Sequence, residues 1–172
     1  MTKSNIHPWT NPLFLHCNGG REQLGSILRM VRSGEIRVPH YQRGRVWTDE
    51  QKSLWVGHVL SGAPLPSIFI RDVNGPSGFE DEIVDGQQRL MACIDWLDGK
   101  VAAPTWDGGV ARCESRADAV MLKRVGIPVS RLPVGTSEAD VLRLYLALNN
   151  AGTPHTAEEL GRVRGLLAEV EP

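Results

Sequence analysis

Long apolar runs are missing from this sequence. None approaches the ~18–20 residues that a membrane-spanning helix needs, and the polar start MTKSNIHPW lacks the apolar core of a signal peptide. Cysteine is scarce too. Cys17, Cys93 and Cys113 are odd in number, widely separated and without metal-type spacing, which argues against a disulfide framework or a zinc site and for reduced thiols. These absences predict a soluble, cytoplasmic protein. Nor is there an excess of either charge: 19 Lys+Arg face 20 Asp+Glu, a formal net of -1. The whole-molecule field therefore does not draw the chain onto nucleic acid, and any polyanion must be held locally. Internal repeats, low-complexity tracts and a dividing linker are also lacking, and the 11 prolines and 18 glycines are scattered.

What is present is an ordinary globular composition, 41% hydrophobic and 23% charged over 172 residues, enough for one domain that buries roughly two-thirds of its unfolded surface. Residues 1–20, with two prolines and a Gly-Gly, read as an irregular arm, and 21–172 as a single domain. Leu24, Ile27, Leu28 and Val31 recur at helical spacing from Arg21 to a Gly34 stop. Ile36-Arg37-Val38 alternates as a short strand before Pro39. Thr48 and Gln51 have capping-box spacing, opening a helix whose face would be Leu54, Trp55, His58 and Val59, stopped near Gly62. SIFIRDV (67–73) and EDEIV (80–84), separated by NGPSG, predict an antiparallel hairpin. Leu90, Cys93, Ile94 and Leu97 then predict a helix stopped at Gly99. Residues 100–126 are weakly patterned, with a short helix around Ala117 to Lys123. IPVSRL (127–132) reads as a strand, Ser137 with Asp140 opens a helix through Leu148, and Thr156 with Glu159 opens one through about Leu167. The fold class is α+β, a small mixed sheet with helices around it.

The stretch IVDGQQRL (83–90) places hydrogen-bonding groups where a strand turns into a helix. The first turn of a helix leaves N–H groups unpaired at the positive end of its dipole, a geometry that attracts anions. Gly86 permits close backbone approach, Gln87 and Gln88 bring amides, and Arg89 adds a fork suited to phosphate oxygens. Asp85 is then a ligand for Mg²⁺ or an orienter of water. The competing reading is plain capping, because Asp85-x-x-Gln88 has N-cap to N3 spacing. It leaves Gln87 and Arg89 unexplained, since a basic first-turn residue opposes the dipole unless an anion lies nearby. A second cluster, Tyr41-Gln42-Arg43-Gly44-Arg45-Val46-Trp47, lies between a strand and a capped helix. Its arginines suit phosphates, Tyr41 or Trp47 suits stacking on a base, and packing into the core is preferred for Trp47. From Arg21 to Trp47 six arginines against two glutamates leave a net of +4, a functional patch or merely an uneven solvated surface. A third polar stretch, Asn149 to His155, joins the last two helices. His155 is an acid or base there, or simply exposed.

Three of these segments, VPHYQRGRVW (38–47), IVDGQQRL (83–90) and YLALNNAGTPHTAEEL (145–160), together resemble the N-terminal domain family of the GmrSD modification-dependent restriction endonucleases, a branch of the ParB/sulfiredoxin-like superfamily. The likeness spans about residues 21 to 168. It implies a ParB/sulfiredoxin-like fold that binds a nucleotide, with Mg²⁺ and NTP as cofactors and NTP hydrolysis as the activity, linked to DNA restriction, modification or phage-host conflict. By that likeness Asp85, Gln88 and Arg89 are the catalytic candidates, and Tyr41, Gln42, Arg43, Gly86, Gln87 and Arg89 the nucleotide-binding ones. Arg45, Asn149, Thr153 and His155 are accessory candidates, and Asp85 the candidate metal ligand. Relatives are commonly fused to an HNH nuclease half, whereas this chain ends at Pro172, so a stand-alone form without nuclease activity of its own is expected, with DNA or a separate effector subunit as partner. Gly44-Arg45 departs from the Pro and aromatic of many relatives and makes the loop more basic. The alternatives are a DNA-binding regulatory module without turnover, and a phosphotransferase acting on a small molecule or nucleotide.

Overall fold

The computed structural model describes residues 17–73, 81–149 and 157–170. In chain order they form β1 (Asn18–Gln23), α1 (Leu24–Ser33), β2 (Ile36–Arg37), α2 (Asp49–Leu60), β3 (Ile68–Arg71), β4 (Asp81–Asp85) and α3 (Gln87–Leu97). A two-stranded hairpin, β5 (Ala103–Pro104) and β6 (Val110–Ala111), is followed by α4 (Arg116–Arg124), β7 (Gly126–Arg131), α5 (Glu138–Asn149) and α6 (Ala157–Val170). The architecture is α+β, as the periodicities predict.

The main sheet has the order β1-β7-β3-β4-β2. β1 and β7 are antiparallel, β7 and β3 parallel, β3 and β4 antiparallel, β4 and β2 parallel, so the sheet is mixed. Side-chain alternation along the strands sends apolar residues to both faces. Ile68, Ile70 and Ile83 join Leu24, Val56 and Leu90 from α1, α2 and α3 in one core. Val84 and Phe69 point the other way, to Val141, Leu144 and Tyr145 of α5 and Val163 of α6. A sheet covered on both faces carries β4 through the middle of the molecule. Its last residue, Asp85, emerges between the two helical layers.

Local rules account for most element ends. Gly34 caps α1 in the left-handed region (φ 82°), where its N–H reaches Val31 O. Thr48 and Gln51 form the expected capping box on α2. Three expectations are corrected. The helix foreseen from Arg21 begins at Leu24, because Asn18–Gln23 pair with β7 from Asn18↔Arg131 to Gln23↔Gly126. The buried residues of α2 are Val56, Gly57 and Val59, while Leu54 and His58 are exposed. Pro104 of the hairpin sets that face: a Cβ on Gly57 would lie 2.7 Å from Pro104 Cγ. Finally, the weakly patterned 100–126 region contains that hairpin as well as α4, which Ser115 and Asp118 cap reciprocally.

Candidate functional site

β4 passes into α3 with a single intervening residue. Gly86 is the N-cap, at φ 108° in a conformation that side-chain-bearing residues rarely adopt. A Cβ there would also meet Ile68 Cδ1 at 2.3 Å. Gly86 is therefore required by backbone and packing together, not only by the approach of a ligand. Among the described residues no side chain caps α3. The plain capping reading is thereby removed: Asp85 is not the N-cap, and the first-turn amides of Gln87, Gln88 and Arg89 have no side-chain acceptor among the described residues.

The polar side chains of the turn are used in three different ways. Gln88 reaches the Tyr41–Trp47 loop: its Nε2 donates to Gly44 O at 2.9 Å, and its Oε1 accepts from the amides of Val46 (3.1 Å) and Trp47 (3.3 Å). The same loop is tied to β4 by Gln42, whose Nε2 donates to Ile83 O and Val84 O. Arg89 folds back one turn. Its Nη2 donates to Asp85 Oδ2 at 2.5 Å and its Nη1 to Pro66 O at 3.1 Å, while its Cζ lies 5.9 Å from the ring centre of Trp55. Only 12% of the Arg89 side chain is exposed. Burial pushes the pKa of its guanidinium down, and the Asp85 carboxylate opposes that shift. The expected free guanidinium is thus an internal ion pair. The anion that reconciles a basic residue with the helix dipole is Asp85 itself.

Gln87 differs from both neighbours. It is 8% exposed, yet its side-chain amide has no hydrogen-bond partner among the described residues. It faces a cavity of about 390 Å³ over the start of α3. That volume falls within the range of small-molecule sites. Asp85, Gly86, Gln88 and Arg89 line it from the turn, Gln42, Arg43 and Trp47 from the loop, Trp55 and Pro66 from one side, and Tyr145 and Asn149 of α5 from the other. Among the described residues Asp85 is the only carboxylate in this lining, and no cluster of three or more His, Cys, Asp or Glu could hold a metal ion by itself.

The remaining candidates separate. Arg43 lines the cavity and pairs with Glu159 of α6 (Nη1 to Oε2, 3.4 Å). Tyr41 does not line it: the ring is buried against Tyr145 (centroids 5.4 Å apart) and its hydroxyl has no partner among the described residues, so stacking on a base falls outside its reach. Burial pushes the Tyr41 hydroxyl pKa well above its ordinary value. Arg45 points to the buried Asp95 of α3 (3.2 Å), which also pairs with Lys52 (3.1 Å). Asn149 lines the cavity and donates from Nδ2 to Tyr145 O at 2.7 Å. Trp47 packs partly against the main core while lining the cavity. Thr153 and His155 lie outside the described residues.

The sequence model of the GmrSD restriction endonuclease N-terminal domain matches residues 24–124 of this chain. The chain belongs to that family. The GmrSD match contains the arginine loop, the Asp85–Arg89 turn and the cavity-lining Trp47 and Trp55, and it links the chain to restriction. The α5 and α6 side of the cavity, with Asn149 and Glu159, lies beyond the matched span. No curated protein matches, and no solved structure does. Among the described residues no helix is long and apolar enough to cross a membrane.

Sequence reasoning missed the partners more than the site itself. Trp55 under Arg89, Pro66 O, Glu159 on Arg43 and Arg162, whose Nη2 donates to Tyr41 O at 2.8 Å, come from elements distant in the chain. Only the Asp85 to Arg89 spacing of four residues, one helical turn, was a local clue to their pairing.

Proposed function

We propose that the cavity above α3 binds the phosphate chain of a nucleoside triphosphate, and that the domain hydrolyses it with Mg²⁺ in the service of restriction. The observation that carries this reading is Gln87, a largely buried side chain whose amide lines the cavity with no protein partner among the described residues, beside three uncapped backbone amides. The Gln87 amide opens onto the cavity and is free to give its hydrogen bonds to a ligand there. A ligand with several acceptor oxygens suits it. Phosphate is such a ligand, and the positive end of α3 favours its charge.

The chain's residues divide the work as follows. The amides of Gln87, Gln88 and Arg89 and the Gln87 side chain receive phosphate oxygens, and Arg43 supplies a cation from the loop. Trp47 and Trp55, edge to face with centroids 6.4 Å apart, offer apolar walls for the base. Asp85 fits Mg²⁺ to the extent that a cation accompanying a triphosphate takes one or two carboxylates and the phosphates themselves. The ion supplies charge neutralisation at the transferring phosphoryl group. Asp85 would hold the cation, and Arg89, now paired with Asp85, would then be available to a phosphate. Gln88 acts through the loop it holds, as a positioning residue.

One observation favours binding without turnover as a second reading: the Asp85–Arg89 pair is short and partly buried, so it resists being opened. Titration calorimetry of triphosphates with and without Mg²⁺, followed by phosphate release, tests both. Binding with release supports hydrolysis, binding without release supports the second reading, and absence of binding rejects the site.

A further inference from the structure

A second cavity of about 460 Å³ lies on another part of the surface, between α1 and α4. It runs along α1 from Gln23 to Arg32, about 14 Å at 1.5 Å per residue. Arg29 and Arg32 line it from α1, Lys123 and Arg124 from α4, with Leu28 and Val120 as apolar floor, and among the described residues no carboxylate belongs to the lining. In a chain of net charge -1, four cations around one groove are a local concentration of positive potential. Lys123 and Arg124 have no ion pair among the described residues. Arg29 pairs with Glu35 at 2.7 Å and Arg32 pairs with Asp98, but 64% and 47% of the two arginine side chains is exposed. Exposed pairs of this kind are worth little and yield readily to a competing anion. Placement at the end of α4 offsets that helix's dipole and accounts for Lys123 and Arg124 individually. It does not account for their facing Arg29 and Arg32 across a groove.

We infer that this groove receives the sugar–phosphate backbone of duplex DNA. The charge complementarity is direct: a strand advances about 3.4 Å per nucleotide along the duplex axis, so about 14 Å of groove meets several successive phosphates. Apart from the cations, the polar lining among the described residues is limited to Gln23 and Ser26, so contact is with the backbone and not with base sequence. The surface is separate from the cavity over α3 and does not depend on nucleotide binding there. It is also narrower than the +4 segment in the sequence, because Arg37, Arg43 and Arg45 lie outside it and are committed to Glu82, Glu159 and Asp95.

The test is fluorescence anisotropy of a labelled duplex of about 20 base pairs over a salt series. It uses the full chain, the double variant Lys123→Glu with Arg124→Glu, and Arg143→Glu on α5 as a control. The double variant should bind at least tenfold more weakly at low salt, with the salt slope reduced by about two, since each phosphate contact contributes about 0.9. Arg143→Glu should stay within twofold. An unchanged melting point and unchanged triphosphate binding in the double variant would show that the fold and the other cavity are intact. Equal DNA affinity of the double variant and the parent overturns the inference. So does competition by a polyglutamate peptide as effective as unlabelled duplex, which would make the groove a site for acidic protein segments.

Discussion

Replacing Gln88 by Ala removes one side chain from the surface of α3 and, with it, the clasp on the arginine loop. Three hydrogen bonds go: the donation to Gly44 O and the acceptances from Val46 N and Trp47 N. A typical intramolecular bond contributes about 0.5–1.5 kcal/mol net. Gly44 and Val46 are exposed and Trp47 is half-buried, so water reaches the lost partners and each loss falls at the lower end of that range. The sum is about 1.5–3 kcal/mol. With a urea dependence of roughly 1–3 kcal/mol per molar, the unfolding midpoint should drop by about 1 M. The assay is urea unfolding followed by circular dichroism, paired with hydrogen exchange at the Val46 and Trp47 amides, whose protection should be lost. Gln88→Glu is the control. Its carboxylate still accepts from both amides and suits the first helical turn, but cannot donate to Gly44 O, so it should lie between Ala and the parent. A Gln88→Ala protein within 0.5 kcal/mol of the parent, with both amides still protected, would refute the clasp.

Gly86→Ala should cost about 2–6 kcal/mol in the same unfolding assay. Strained backbone at φ 108° and overlap with Ile68 Cδ1 each contribute about 1–3 kcal/mol. Asp85→Asn should retain triphosphate binding while phosphate release falls at least a hundredfold, because an amide replaces the only carboxylate that lines the cavity among the described residues. Arg89→Ala should weaken triphosphate binding at least tenfold, and isothermal titration unchanged from the parent would contradict its part in the site. The Cys93 thiol is pushed up to about 12 by burial, from an ordinary value of 9. The unfolded chain therefore releases this proton first, so the stability it contributes is whole below pH 9 and is lost as pH rises toward 12. The slope is about 1.4 kcal/mol per pH unit. Urea midpoints measured from pH 8 to 11 should fall, and less steeply in Cys93→Ala.

The helices α1, α3, α5 and α6 were legible because their apolar spacing or capping pairs are local facts, and so was the hairpin of β3 and β4. β1 was not, since an edge strand with an exposed Asn-Gly-Gly start carries no alternation and is defined by its partner β7. The face of α2 was misread because Pro104, far along the chain, decides which side is covered. At the site, the position of the turn, the glycine and the loop followed from sequence. The division among three adjacent polar residues did not: Gln87 faces the cavity, Gln88 holds the loop and Arg89 returns to Asp85. Adjacent residues of similar polarity leave a helix about 100° apart, and only the tertiary surroundings determine what each one meets.

Comparison of triphosphate affinity between the parent chain and Gln87→Met bears most directly on the site. Methionine keeps the volume and the helix and removes only the amide. Calorimetric titration with Mg²⁺ present should show measurable binding by the parent and at least tenfold weaker binding by the variant at an unchanged melting point. Equal affinities, or a parent protein that binds no triphosphate, would contradict the account.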